Sequence, residues 1–111
     1  MKYLKKFESK DYKKLAKSIQ YHLRKIFTKK EDYSIHVDNV DNKIHVFFGG
    51  FIYSWEDTDE FEVFNKWVKE NNIDHFISYD FTIEQAEEFL IYLKNDFRDD
   101  NIKLASNKFN L

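Results

Sequence analysis

YSIHVDNVDNKIHVFFGGFIYSW, residues 33–55, is the stretch whose reading decides the fold. Its two copies of Ile-His-Val are separated by Asn39-Val40-Asp41-Asn42, a run of turn-forming residues, which predicts strands over 33–38 and 43–48. Successive strand side chains alternate between faces, so Ile35 and Val37 must share one face with Ile44 and Val46. Gly49-Gly50 then leads into the β-rich run 51–55. A Gly-Gly pair between such runs signals a tight hairpin, because both turn positions need positive φ. That hairpin would set Phe48 against Phe51, Val46 against Tyr53 and Ile44 against Trp55. The expected product is an antiparallel three-stranded meander with one apolar face, and with Ser34, His36, His45, Phe47, Ile52 and Ser54 on the other.

Helices are predicted on both sides of the meander. Over 9–29, Tyr12, Leu15, Ala16, Ile19, Leu23, Ile26 and Phe27 recur at helical spacing and form one stripe, with Ser9 placed to cap it. Asp57 with Glu60 resembles a capping box opening a helix to residue 70, whose inward residues are Phe61, Phe64, Trp67 and Val68. Residues 73–81 read as one strand. Thr82 and Gln85 form a better capping box, opening a helix to about residue 98 with Ile83, Ala86, Phe89, Leu90, Leu93 and Phe97 inward. Asp99-Asp100-Asn101 reads as a turn before a short last strand over 102–105. The prediction is therefore a single compact α+β domain of order α-β-β-β-α-β-α(-β), its meander packed against helices. Residues 1–30 form a basic helical arm, 31–105 an acidic body and 106–111 a flexible tail.

Charge divides the same way. Residues 1–30 carry eleven Lys or Arg against two acids, and the remaining 81 carry seven against eighteen, so the formal net charge of −2 hides a long-range field. Twelve Phe, seven Tyr and two Trp supply enough apolar volume for one core. No apolar run approaches the ~20 residues of a membrane-spanning helix. The basic start of the chain lacks the apolar segment of a secretory signal. Cysteine is absent, which removes disulfides and thiolate chemistry and fits a reducing, cytoplasmic setting. Sixteen Lys against two Arg, with no Pro, point to an AT-rich bacterial or phage genome.

Catalytic motifs are missing. Without its first helix, the order matches ribonuclease-H-like nucleases, whose metal-binding acids would be Asp38, Glu60 or Glu62, and Asp80. With that helix it matches restriction-type nucleases, but the run 51–55 contains neither the acid nor the Lys that their metal chemistry needs. A four-residue turn would place His36 opposite His45 with Asp38 beside them, a partial zinc set that ordinary strand alternation also explains. There is no Gly-rich phosphate loop and no nucleophile elbow. We expect no enzyme, no cofactor and no metal.

Two surfaces could bind a partner. The outer face of the first helix carries Lys10, Lys13, Lys14, Lys17, Arg24 and Lys25 around Tyr21, a set able to neutralise phosphates and stack a base without reading sequence. The acidic body gathers Glu56, Asp57, Asp59, Glu60 and Glu62 within seven residues, and adds Glu84, Glu87 and Glu88 beside Ile91 and Tyr92. Apolar anchors ringed by carboxylates suit a basic protein surface, where charge steers encounter and buried groups supply affinity. The leading expectation is a small inhibitor occupying the basic site of a nucleic-acid-handling protein. Its size and acidity resemble those of phage anti-defence proteins, anti-CRISPR inhibitors included, and of toxin-immunity proteins. The competing expectations are a nucleic-acid-binding module acting through the basic helix and a metal-dependent nuclease.

Overall fold

The apolar stripe of the first helix forms as its spacing predicts. A computed structural model describes residues 9–27, 34–49 and 58–109. Helix α1 (Ser9–Ile26) buries Leu15, Ala16, Ile19 and Leu23, Phe27 is buried just after its end, and Tyr12 and Ile26 pack against the same core.

Strands β1 (Ser34–Val40) and β2 (Lys43–Gly49) pair antiparallel, but through a shorter turn than the sequence suggests. Only Asp41 and Asn42 form it, both left-handed with φ of 53° and 61°. Short polar side chains make that region accessible to Asp and Asn, and two such residues match the twist of a two-residue hairpin. Val40 therefore joins the strand opposite Lys43, and the register moves by two residues. An even shift keeps Ile35, Val37, Ile44 and Val46 on the buried face. It changes who faces whom: His45 lies opposite Asp38, and His36 lies opposite Phe47, not His45.

The third neighbour also differs from expectation. Strand β4 (Tyr79–Thr82) takes the other edge of β2, with Ile44 opposite Phe81 and Val46 opposite Tyr79. With β1 on one side and β4 on the other, residues 43–46 have no edge left for Tyr53 and Trp55. The run 51–55, with Gly50, lies outside the described residues. Nor is 73–81 one strand. Strand β3 (Asp74–His75) folds back on β4 through a tip at Phe76, Ile77 and Ser78, giving a four-stranded antiparallel sheet of order β1-β2-β4-β3.

Helix α2 (Asp59–Glu70) is capped by Thr58, not Asp57: the Thr58 hydroxyl accepts the Phe61 N–H at 3.2 Å. It ends at Asn71 and Asn72, the latter left-handed with φ of 55°. Helix α3 (Ile83–Asn95) has the full capping box. Thr82 Oγ1 accepts the Gln85 N–H at 3.1 Å and Gln85 Oε1 accepts the Thr82 N–H at 2.9 Å. Helix α4 (Phe97–Phe109) replaces the expected turn, the last strand and most of the expected tail. Asp99 and Asp100 fall in its first turn, where acids complement the positive end of a helix instead of breaking it.

The buried face of the sheet and the four helices enclose one core, making a single α+β domain among the described residues. Aromatic rings thread it. Phe48 meets Phe27, Phe61, Phe64 and Tyr79, Phe64 meets Phe89, and Trp67 stacks on Phe81 and Tyr92. Helix α1 also closes the outer edge of β1. Arg24 donates from Nε and Nη2 to the Ile35 carbonyl at 3.2 and 3.0 Å, and Gln20 Oε1 accepts the Val37 N–H at 3.0 Å.

Candidate functional site

The acidic residues do not merge into one patch. Glu56 and Asp57 lie outside the described residues. Asp59 and Glu62 face α4, where the Lys108 ammonium sits 2.6 Å from Asp59 and 3.5 Å from Glu62. The hydrogen bond to Asp59 leads the causes that raise the Lys108 pKa. Glu60 turns elsewhere, into a pocket with His22, Lys25 and Arg98. Helix α3 keeps Glu84, Glu87 and Glu88 together, and burial together with Glu84 and Glu88 pushes the Glu87 carboxyl up from its ordinary value.

The two apolar residues of that helix part company. Ile91 is 57% exposed beside the three glutamates, as an anchor should be. Tyr92 is half-buried and structural: its ring stacks on Trp67, meets Phe97, and its hydroxyl donates to Asp100 Oδ2 at 2.6 Å. Burial and then Asp100 drive its pKa well above that of a free phenol. Replacing Tyr92 would strip support from α4, so loss of binding in such a variant would not report a contact.

On α1, Lys13, Lys14, Lys17, Tyr21, Arg24 and Lys25 are exposed as expected, while the Lys10 side chain lies outside the described ones. Lys25 sits 5.2 Å above the Tyr21 ring. Arg24, however, is tied to the Ile35 carbonyl through Nε and Nη2, which leaves the one guanidinium of the set without the free two-nitrogen fork that a bidentate phosphate contact on that edge would use.

A row of polar residues crosses the open face of the sheet in register: Asp38, His45, Asp80 and Asp74. His45 donates from Nδ1 to Asp80 Oδ1 at 2.5 Å, since a carboxylate can only accept, and Ser78 Oγ donates to the same oxygen. Partial burial would raise the Asp80 carboxyl, yet those two bonds with the nearby His45 and Lys43 charges bring it below its ordinary value. The Asp38, Glu60, Glu62 and Asp80 of the nuclease reading do not converge. Among the described residues no three His, Asp or Glu side chains gather as a metal site, and His36 stands apart from His45.

Among the described residues, the most exposed large apolar side chains lie outside both surfaces that the sequence suggests. Phe76 and Ile77 stand 89% and 79% exposed at the β3–β4 tip. The tip is held from behind: the Phe76 N–H donates to the Ser78 carbonyl at 3.2 Å, Ser78 and Tyr79 are buried, and His75 stacks flat on Tyr79 with ring centroids 3.8 Å apart. Asp74 and Asp80 face each other at its base. A signal was present in the sequence, because adjacent Phe and Ile cannot both face a core from one strand. No protein-family model matches the chain, and no curated protein or solved structure matches it. None of the described helices is long and apolar enough to cross a membrane.

Proposed function

We propose that this is a small non-enzymatic inhibitor that occupies a basic, nucleic-acid-handling site of a partner protein. The observation that carries the reading is the β3–β4 tip: two large apolar side chains displayed on a short, braced hairpin with carboxylates at its base. Exposed apolar residues in such a setting cost solubility and supply affinity only when a pocket covers them. Acids around them favour a pocket rimmed by Lys and Arg and speed the approach to it. Glu84, Glu88 and Ile91 on α3 extend the same chemistry over a second patch. A phage anti-defence protein or a toxin-immunity protein would use a surface of this kind.

The test is affinity capture from a bacterial lysate, with the captured protein identified by mass spectrometry and its affinity then measured with purified components. Phe76→Ser/Ile77→Ser should weaken binding by roughly a hundredfold, the range of a two-residue hot spot at ~2–4 kcal/mol. Its melting temperature should match wild type, because neither side chain is part of the core. Glu70→Ala should bind as wild type. Unchanged affinity in the tip variant, or a captured partner whose activity is indifferent to the protein, defeats the proposal.

A further inference from the structure

Where the C-terminal halves of α1 and α3 meet the start of α4, His22, Lys25, Lys94, Arg98 and Asn101 line a pocket of about 410 Å³. We infer that this pocket binds the phosphate group of a nucleotide. Its volume lies within the ~300–1,000 Å³ of small-molecule sites. Among the described residues that line it, three permanent cations (Lys25, Lys94 and Arg98) face one carboxylate, Glu60, a positive balance within an acidic protein. No described carboxylate forms an ion pair with Lys25, Lys94 or Arg98. The field is felt locally: burial and then the Lys94 and Lys25 charges hold the His22 imidazole below its ordinary pKa. An arriving phosphate would relieve that repulsion, and Arg98 offers a planar fork for two of its oxygens.

Two further observations favour a nucleotide over a bare anion. Asn101 lines this pocket, and its Oδ1 is a buried acceptor with no hydrogen-bond partner among the described residues, so a small rotation of the side chain would present it to a hydroxyl or amino donor on the ligand. Tyr21, which does not itself line the pocket, is 59% exposed and edge-on to the lining residue His22 with ring centroids 5.3 Å apart, so its ring offers a base a surface to stack on. Phosphate, sugar hydroxyl and base thus each have a counterpart. The site is independent of the β3–β4 tip, and either can fail alone.

Amide chemical shifts of the full chain, followed at constant ionic strength, test it with four probes: AMP, adenosine, inorganic phosphate and a 5′-phosphorylated oligonucleotide. AMP should move the His22, Lys94, Arg98 and Asn101 signals saturably, phosphate should move them more weakly, and adenosine should leave them in place. Lys94→Ala/Arg98→Ala removes two exposed side chains and should weaken AMP roughly tenfold or more while preserving the melting temperature. Phe76→Ser/Ile77→Ser should bind AMP as wild type. Tighter binding of the oligonucleotide than of AMP would assign the phosphate to a nucleic-acid end, and the reverse order to a free nucleotide. Absence of saturation at millimolar AMP, equal response to adenosine, or undiminished binding by the double variant overturns the inference.

Discussion

Asp80 shows how a single side chain can look catalytic and be structural. Its Oδ1 accepts from both Ser78 and His45, so Ser, Asp and His are joined with the carboxylate in the middle. A nucleophilic serine would have to meet the imidazole, and here it does not. The carboxyl lies below its ordinary value, so its contribution to stability is complete above the unfolded-state pKa and disappears as pH falls through the folded-state pKa. Asp80→Asn should cost roughly 1 kcal/mol at neutral pH, a small value because the group is partly solvated. In the acid range the difference from wild type should shrink, which urea denaturation across a pH series would show. A constant difference would mean that packing, not charge, makes the contribution.

At the scale of elements, apolar spacing was the most legible signal and turn chemistry the least, with capping between them, since Thr58 and not Asp57 caps α2. Thr82 and Gln85 satisfy each other's backbone groups as the sequence announces, and α3 begins where that pair requires. Thr82→Ala should lower stability by ~1 kcal/mol with no change in the denaturant slope, because the Gln85 N–H at the start of α3 loses its acceptor while the core is untouched. Apolar spacing likewise set the inner faces of α1 and of both hairpin strands, since burial leaves little choice of side. Turn residues misled because they serve two purposes. Asp99 and Asp100 could end a helix or begin one, and the packing of Phe97 and Leu104 against the core decides for α4. In the sequence Asp41 and Asn42 look like half of a longer turn, although their tolerance of positive φ suffices for a tight one. The run 73–81 concealed a hairpin because His75 and Ile77 continue the alternation that Tyr79 and Phe81 begin. The candidate site was less legible still. Lys94 and Arg98 join His22 only after α1 and α3 lie side by side, and no local pattern records that meeting.

For the molecule as a whole, the described part of the acidic body sets cations among its acids. Lys108 sits between Asp59 and Glu62, the end of α3 carries Lys94, and its beginning carries acids. The sheet's margins have their own consequence. The outer side of β1 is occupied by Gln20 and Arg24, and the opposite strand, β3, offers only two residues. Growing fibrils recruit chains through long, unoccupied strand borders, so a sheet sealed in this way gives a seed nothing to copy. Shaken at neutral pH, the native protein should stay dark to an amyloid dye, whereas Gln20→Ala/Arg24→Ala should develop fluorescence after a lag. On that view the two side chains that tie a helix to a strand are also what keeps one copy of this protein from becoming a template for the next.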